Sequence, residues 1–303
     1  MILPSPASLS PPEGPPKFGD LHLHTSFSDG TYTPEELALE GQRHGLAVLA
    51  LTDHDTLEGC ARMQIACDRL GIEFIPGTEL TAEWHGHEVH LLGYFLDLEN
   101  RPLQEKLGRF QNVRQDRIRE IVARLNALGV PIRAESVFAL ANCRSPGRPH
   151  VGRVLVQEGI CATMDEAFER FLKVNRPAWV PKSKMSFTEA VELVHEAGGL
   201  AVMAHPGLNR SDDVIPELVA SGIDGIECFH SRHSAPTAQH YLRIAAQYGL
   251  LVTGGSDCHG MNKGKPLIGS IRLPYERVAL LRQASIEARQ RRLPRFAAPP
   301  AIA

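Results

Sequence analysis

The sequence Asp20-Leu21-His22-Leu23-His24, continued by Thr25-Ser26-Phe27-Ser28-Asp29-Gly30, contains the pattern on which the fold prediction depends. Successive side chains of a β-strand point to opposite faces, so an extended segment places Leu21 and Leu23 on one face and both histidines on the other. Asp29 follows in a Ser-Asp-Gly turn, where its carboxylate can add a further ligand. A His-x-His pair is equally typical of buried structural histidines, so a metal-site prediction needs ligands elsewhere in the chain.

The chain has 303 residues, of which 43% are hydrophobic and 22% charged, so a large folded domain is expected. Apolar runs such as 46–51 and 200–204 are far shorter than the about 18 residues of a membrane-spanning helix, and we interpret them as buried strands. Residues 1–19 contain six prolines and lack the pattern of a secretory signal. We therefore predict flexible tails at 1–19 and 293–303.

The cysteines and the charges narrow the class of protein. The six cysteines form no Cys-x-x-Cys pair and no zinc-ribbon spacing, which favours a reduced, cytoplasmic protein. Residues 99–184 contain sixteen Lys or Arg against nine Asp or Glu, whereas the rest of the chain has sixteen against twenty-six. This basic middle is either a solvated helical surface or a segment that attracts an anionic substrate, beside acidic flanks that hold cations.

Helix signals alternate with short apolar runs along both flanks of the chain. Thr33-Pro34-Glu35-Glu36 combines an N-cap threonine, a proline at the first helical position and a capping-box glutamate, which predicts a helix to about residue 44. Strands are predicted at 46–52, 74–80, 89–95, 200–204, 223–229 and 250–253. Strands that alternate with helices are typical of a parallel α/β sheet or barrel.

The alternation stops near residue 99. A long Arg-rich helical pattern covers 101–128, and no strand-like run follows it before residue 185. Shorter helical patterns occupy 134–140, 150–158 and 164–172. We therefore predict that residues 99–184, called the insertion segment below, form a helical insertion that caps the substrate. The barrel would consist of residues 20–98 and 185–292.

Candidate ligands recur where the predicted strands end. They are His22, His24, His54, Glu79, His205, Asp257 and His259, with His90 inside a strand. In parallel α/β barrels the active site lies at the C-terminal ends of the strands, so these side chains are expected to converge. Nitrogen and oxygen ligands without thiolates suit Mn²⁺, Fe²⁺ or Zn²⁺, and the set is too large for one ion.

Taken together, the motifs of this chain resemble the PHP family, named for polymerase and histidinol phosphatase. They are His22-x-His24, Asp29, Asp53-His54-Asp55, Gly77-Thr78-Glu79, Val89-His90-Leu91-Leu92-Gly93-Tyr94, Ala204-His205-Pro206-Gly207 and Gly255-Ser256-Asp257-Cys258-His259. The insertion segment, with Arg148-Pro149-His150, is similar to that of stand-alone phosphoesterases acting on nucleoside phosphates. The resemblance implies an α/β fold, a distorted seven-stranded (β/α) barrel with a helical insertion and a trinuclear metal site.

The same resemblance implies three metal positions. The first uses His22, His24, Glu79 and Asp257, the second Glu79, His90 and His205, and the third Asp29, His54 and His259. Two to three divalent cations are expected, with Mn²⁺ preferred and Fe²⁺ or Zn²⁺ as alternatives. The implied mechanism is direct attack of a metal-bound hydroxide on phosphorus, with release of inorganic phosphate.

Four further residues are predicted to act on the substrate, although each also has a purely structural interpretation. Arg148 and His150 lie in a turn that leads into a helix, where they can bind a phosphate. Arg232 and His233 follow a predicted strand end and can bind the phosphate as well. His233 is also the candidate that protonates the leaving oxygen. We interpret the neighbouring His230 only as a residue that closes the strand.

The predicted function is hydrolysis of a phosphate monoester in a nucleotide-like substrate, such as a nucleoside 3′,5′-bisphosphate or a nucleoside monophosphate. Three alternatives remain: a 5′–3′ exonuclease on short RNA or DNA, a histidinol-phosphate phosphatase, and a non-catalytic PHP module. The complete ligand set disfavours the non-catalytic module. The expected partner is the small phosphorylated substrate or a short nucleic acid, and no membrane partner is expected.

Overall fold

The computed structural model describes residues 15–182, 184–209 and 212–292, without the side chains of Asn209 and Lys263. Most of the predicted N-terminal tail, residues 1–14, and the predicted C-terminal tail, residues 293–303, lie outside the described residues. The first strand begins at Phe18. None of the helices in the described ranges has the length and apolar character needed to cross a membrane.

One mixed sheet organises the described residues. Its strands are β1 (Phe18–Asp20), β2 (Val48–Leu51), β3 (Glu73–Trp84), β4 (His87–Tyr94), β5 (Met185–Ser186), β6 (Leu200–Met203), β7 (Gly225–His230), β8 (Leu251–Gly255) and β9 (Leu273–Pro274). The strand order is β8-β7-β6-β4-β3-β2-β1-β9, and β5 pairs with β3. Past β1, the Leu21 N–H donates to the Gly254 carbonyl at 3.2 Å. This contact nearly closes the sheet, which confirms the predicted distorted barrel.

Helices form in the intervals that the sequence pattern predicts, and a short helix at Pro206–Asn209 was not predicted. They are α1 (Pro34–Arg43), α2 (Cys60–Leu70), α3 (Arg101–Ala127), α4 (Ala134–Ala141), α5 (Arg148–Gln157), α6 (Met164–Ala167), α7 (Phe187–Glu196), α8 (Pro206–Asn209), α9 (Ile215–Ala220), α10 (Ala235–Tyr248) and α11 (Tyr275–Arg292). A π-helical turn at Phe168–Leu172 follows α6, and 3₁₀ turns cover Asp212–Val214 and Gly260–Lys263. The capping box predicted at Thr33 and Glu36 is formed.

The directions of β3 and β4 correct the expectation of a parallel sheet. These strands pair antiparallel, and β4 also pairs antiparallel with β6. The physical reason is the connection, because only His85 and Gly86 join β3 to β4, and a parallel crossover requires a dozen or more residues. Both residues have positive φ, at 48° and 81°, as a two-residue hairpin turn requires. Parallel pairing holds for β1–β2–β3 and for β6–β7–β8.

Strand β2 is buried on both faces, which explains its continuous apolar sequence. Val48 and Ala50 pack inside the barrel with Ile75 and other inward-facing residues. Leu49 and Leu51 point outward and pack with the residues of α1 and α2. A strand buried on both faces has no solvent-facing positions to carry polar side chains.

The His-x-His segment differs from the expected strand. β1 ends at Asp20, and Leu23 makes only an isolated bridge with Cys258. Leu21 packs in the barrel interior, whereas Leu23 packs with α1 and α2, so the prediction that both leucines share one face was wrong. The histidines nevertheless converge, since the ring centroids of His22 and His24 lie 5.2 Å apart.

All regular secondary structure of the insertion segment between Arg101 and Leu172 is helical. The C-terminal half of α3 forms a hydrophobic cluster with residues of α4, α5 and the π-helical turn. Leu103 and Leu107, in the first half of α3, instead join the cluster that includes α7. The assignment of residues 99–184 as a separate insertion stays a prediction.

Tyr94 provides a test of the contact that positions the His-x-His segment. Its side chain is fully buried, and its hydroxyl donates to the Leu21 carbonyl at 2.9 Å. We expect Tyr94→Phe to lower the free energy of unfolding by about 1–3 kcal/mol, because the buried carbonyl loses its hydrogen bond. Urea denaturation measures this change. Tyr248→Phe, on partly buried Tyr248 at the end of α10, is the control, and an equal effect of both variants would contradict the argument.

Candidate metal centre

The carboxylate of Glu79 lies at the centre of a cluster of imidazoles, and its residue is only 1% exposed. Oε1 lies 2.7 Å from His90 Nδ1 and 3.0 Å from His205 Nε2. Oε2 lies 3.1 Å from His54 Nδ1 and 3.3 Å from both His22 Nε2 and His24 Nε2. One buried carboxylate therefore contacts five histidines, which come from four separate segments of the chain.

The residues of the first predicted metal position lie together. Ligand atoms of His22, His24, Glu79 and Asp257 are all within 4.8 Å of one another. Asp257 Oδ1 is 3.3 Å from His24 Nε2 and 3.6 Å from His22 Nε2. The backbone of Asp257 has φ of 53°, so its carboxylate is directed into the cluster by a backbone conformation that non-glycine residues rarely adopt.

The residues of the third predicted position gather around Asp29. Its Oδ1 lies 3.2 Å from His259 Nε2 and 3.9 Å from His54 Nε2, and His24 belongs to the same group. His54 therefore faces Asp29 with one ring nitrogen and Glu79 with the other. His54 therefore connects the two ends of the cluster, as does His259, whose Nδ1 lies 3.5 Å from Asp257 Oδ1.

The residues of the second predicted position meet at one oxygen, Glu79 Oε1. The rings of His90 and His205 approach it from different strands, with centroids 5.2 Å apart. Ligand atoms of His54, Glu79 and His90 also form a group within 4.8 Å. The structure thus brings all nine predicted ligands into one continuous cluster, and their coordination of metal stays a prediction.

The polar atoms of this cluster fit a metal centre. Several are buried and have no hydrogen-bond partner among the described residues: His22 Nε2, both ring nitrogens of His24, Asp29 Oδ1, His54 Nδ1 and His205 Nδ1. Leaving buried polar atoms unpaired is costly, so a group that binds them is expected. Imidazole and carboxylate donors without thiolates suit Mn²⁺, Fe²⁺ or Zn²⁺.

The pKa shifts of the cluster residues also fit a metal centre. Burial alone raises the pKa of Glu79, but His54, His90 and His22 hold that pKa well below its usual range. Burial opposes protonation of His24, yet the Asp257 and Glu79 carboxylates raise its pKa to about 10. Metal binding requires neutral imidazoles, so cations would displace protons from these same atoms.

The loop between His24 and Asp29 is shaped by Asp53. Its carboxylate accepts hydrogen bonds from the Thr25 N–H at 2.7 Å and from the Thr25 and Ser28 hydroxyls at 2.5 Å. Gly30 completes the turn, because a Cβ there would lie 2.5 Å from the His24 carbonyl oxygen. Asp53 therefore orients the loop that carries a candidate ligand and is not itself in the cluster.

The insertion segment holds two of the ligand-bearing loops by their main chain. The Ser145 hydroxyl donates to the His54 carbonyl at 2.6 Å, and Arg153 Nη2 donates to the Asp29 carbonyl at 2.5 Å. Arg114 also donates twice to Asp55 Oδ2, at 2.8 and 2.5 Å. The position of the insertion segment and the position of Asp29 and His54 are thereby linked.

The structure places the predicted substrate residues of α5 at the boundary with the barrel. Arg148 is partly buried, donates to the Leu172 carbonyl at 3.1 Å and lies 5.8 Å above the Phe168 ring centroid. His150 is buried, and its Nδ1 accepts from the Gly147 N–H at 3.0 Å. Burial lowers the pKa of His150 to about 4, so the neutral ring presents an Nε2–H donor.

His233 is held by the backbone at both ring nitrogens. Nδ1 lies 2.9 Å from the Cys228 carbonyl, to which it donates, and Nε2 accepts from the Gly207 N–H at 3.2 Å. This arrangement leaves no free nitrogen for a leaving oxygen, so the catalytic role predicted for His233 gains no support from the geometry. Arg232 is exposed, and its N–H donates to His230 Nδ1.

Glu227 was missed by the sequence reasoning, and His230 received only a structural interpretation. Both are fully buried on β7 beside the cluster. Glu227 Oε1 lies 3.0 Å from His22 Nδ1, and His230 Nε2 lies 3.5 Å from Asp257 Oδ2. The available signal was a carboxylate inside the otherwise apolar stretch 225–229, since a charged residue is almost never fully buried without a partner.

This fold and this cluster define a class of protein. The model of the PHP domain family matches residues 20–175 of the chain. The chain belongs to the PHP family of metal-dependent phosphoesterases, as the resemblance of its motifs predicted.

Three relatives show the range of proteins to which the chain is similar. The 5′-3′ exoribonuclease Rnm of Salmonella typhimurium is 34% identical over 79% of this chain and 84% of its own length. The 3′,5′-nucleoside bisphosphate phosphatase of Chromobacterium violaceum is 33% identical over 82% of this chain and 90% of its own. A solved Bifidobacterium adolescentis structure, assigned as a metal-dependent phosphoesterase, matches with a TM-score of 0.81 and 33% identity, covering 89% and 96% of the two chains.

Removal of the central carboxylate tests the metal centre. We expect Glu79→Ala to lose bound metal, with an affinity loss beyond the about 10–100-fold typical of a residue that only supports a ligand. Elemental analysis of protein passed through a desalting column measures the metal content. The control is Glu83→Ala on the same strand, where the side chain is exposed, and equal metal content in both variants would refute the central role of Glu79.

Proposed function

We propose that this protein hydrolyses a phosphate monoester in a nucleotide-like substrate, with a nucleoside 3′,5′-bisphosphate or a nucleoside monophosphate as the substrate class. The observation that carries the proposal is the contact of Glu79 with five histidines, beside a basic face of the insertion segment. The Glu79 cluster suits a reacting phosphate that is held by cations. The basic face suits further negative charge on the same substrate.

The proposed metal sites are those predicted from the sequence, with two to three divalent cations and Mn²⁺ as the preferred ion. Bound divalent cations supply Lewis-acid activation of water and neutralise phosphoryl charge. The residues of the chain would position these cations. Glu79 lies between the residues of the first and second predicted metal positions, and His54 lies between Glu79 and Asp29. Burial of the cluster limits bulk water and strengthens each electrostatic interaction.

A basic cluster lies where the insertion segment meets the barrel, and we define it as Arg114, Arg117, Arg148 and Lys182. Burial, together with Arg148 and Arg114, lowers the pKa of Arg117 to about 9. Burial also lowers the pKa of Lys182, with Arg114 and Arg148 acting in the same direction. Arg114 and Arg148 therefore lie close enough to Arg117 and Lys182 to repel them at low dielectric.

Two members of the basic cluster are neutralised within the protein and two are not. Arg114 pairs with Asp55, and Lys182 lies 2.8 Å from Glu88 Oε1. Arg117 and Arg148 instead donate to main-chain carbonyls, those of Val180 and Leu172. Their remaining N–H donors suit a phosphate, which accepts charge-assisted hydrogen bonds in the forked geometry of arginine.

Glu88 connects the basic cluster to the candidate metal centre. Its Oε1 is 2.8 Å from Lys182 Nζ and 3.0 Å from His90 Nε2, while His90 Nδ1 faces Glu79. A substrate with two phosphates can therefore place one at the metal cluster and the other at Arg117 and Arg148. This arrangement favours a bisphosphate over a substrate with one phosphate.

A second candidate function is 5′–3′ exonuclease activity on short RNA or DNA. The similarity to the Salmonella typhimurium exoribonuclease supports it, because that relative and the Chromobacterium violaceum phosphatase match the chain about equally well. The same metal cluster and basic cluster suit a terminal nucleotide of a chain. We also propose the cytoplasmic location that the cysteines predict, and this proposal does not depend on which substrate is used.

A substrate panel tests the proposal on Mn²⁺-loaded protein. It consists of a nucleoside 3′,5′-bisphosphate, a nucleoside monophosphate, histidinol phosphate and a short 5′-phosphorylated RNA, with release of phosphate and of nucleotides measured separately. We expect the highest kcat/KM for phosphate release from the bisphosphate. Inactivity on every substrate by metal-loaded protein would refute the phosphoesterase proposal, and faster release of nucleotides from RNA would favour the exonuclease.

The role of the basic cluster is tested by Arg148→Met. Loss of a charge-assisted hydrogen bond costs about 1.5–3 kcal/mol, so KM for the bisphosphate should rise about 10–100-fold. The KM for a monophosphate should change much less. Arg133→Met, at an exposed residue of the insertion segment, removes the same charge and is the control. A parallel rise for both substrates would contradict a second phosphate site at Arg148.

A further inference from the structure

Glu227 and His230 lie on β7, beside the candidate metal centre. Together with His22 they form a compact group whose nitrogen and oxygen atoms lie within 4.8 Å of one another, as a fourth metal site would require. Their hydrogen bonds assign them a different task. Each bond also fixes where a proton resides.

His230 cannot offer a metal the lone pair of Nε2, which is the ring nitrogen that faces the cluster. Its Nδ1 accepts the Arg232 N–H at 3.1 Å, so the neutral ring carries its proton on Nε2. That Nε2 lies 3.5 Å from Asp257 Oδ2, while the other oxygen, Oδ1, faces His22 and His24. His230 therefore directs a proton at the outer oxygen of Asp257 and leaves the inner oxygen for the cluster.

Glu227 accepts from two different donors with its two oxygens. Oε1 lies 3.0 Å from His22 Nδ1, and Oε2 accepts the His205 N–H at 2.8 Å. The first contact places the His22 proton on Nδ1, so the lone pair of Nε2 is directed towards Glu79 and Asp257. The second contact holds His205 in a backbone conformation with φ of 27°, which is unfavourable for a residue with a side chain.

We propose that Glu227 is a positioning residue, which prepares His22 and His205 for metal binding without being a ligand itself. The proposal rests on the metal-binding part of the proposed function, and it is independent of which phosphate ester is cleaved. Carboxylates that bind the outer nitrogen of a ligating histidine fix its tautomer and typically contribute 10–100-fold to metal affinity. His230 lies beside it, with Nε2 3.5 Å from Asp257 Oδ2.

Glu227→Gln separates this role from simple packing, because the amide keeps the shape of the side chain but has only one acceptor oxygen. The amide can satisfy either the His22 ring or the His205 N–H, and its NH₂ group then faces the other donor. If His22 loses its acceptor, its proton can move to Nε2 and block the ligand atom. If the His205 N–H loses its acceptor, the strained backbone is no longer held.

Asp224, which directly precedes β7, provides a matched control. Its Oδ2 lies 2.8 Å from His195 Nε2 and accepts the Ala201 N–H at 2.7 Å, so it also joins a histidine and a backbone donor. Neither partner belongs to the candidate metal centre. Asp224→Asn therefore makes the same carboxylate-to-amide change at a place where metal binding is not expected to respond.

The experiment measures Mn²⁺ binding by equilibrium dialysis for the full-length protein and both variants, with thermal unfolding recorded on the same samples. We expect Glu227→Gln to bind Mn²⁺ about 10–100-fold more weakly and Asp224→Asn to bind as the unmodified protein does. Equal affinity for Glu227→Gln and the unmodified protein would overturn the proposal. Failure of the unmodified protein to bind Mn²⁺ would instead refute the metal centre itself.

A second measurement does not depend on the folding of a variant. In the Zn²⁺-loaded unmodified protein, nitrogen-15 NMR of the histidine rings reports which nitrogen of His22 carries the proton. We expect the proton on Nδ1, as the contact with Glu227 requires. A His22 ring protonated on Nε2 would overturn the positioning role.

Discussion

The burial of one carboxylate among five imidazoles is the constraint on which the rest of this structure depends. Glu79 is fully enclosed, so its charge must be balanced by groups brought from distant segments. The nearly closed sheet makes this feasible because it places the ends of β1, β2 and β6 around β3. The isolated bridge between His54 and Glu79 and the contact of Leu21 with Gly254 hold these ends at one rim.

Much of the fold was predictable because its elements have strong local signals. The capping box at Thr33 and the apolar run of β2 each determine an element almost alone. Strand direction was harder, since the two-residue connection between β3 and β4 decides it and periodicity does not. The side chains of Leu21 and Leu23 were misplaced for a related reason, because tertiary contacts interrupt the regular strand after Asp20.

The candidate site was predictable only in part, and the division has a physical basis. Histidines that follow apolar strands are visible in a sequence, because the strand ends themselves are visible. Glu227 sits inside a strand and acts through His22, so its importance arises only when β7 is placed beside the segment after β1. His233 shows the converse, since its location after β7 suggested chemistry while backbone partners occupy both ring nitrogens.

The insertion segment holds the loops of His54 and Asp29 through their carbonyl oxygens, using Ser145 and Arg153. Bonds to main-chain atoms do not depend on the side chains of the loops they hold. A replacement of the insertion segment that lacks these two donors would therefore remove one hydrogen bond from each of the loops that carry His54 and Asp29. The insertion segment therefore supports the rim of the barrel, in addition to the substrate role proposed for it.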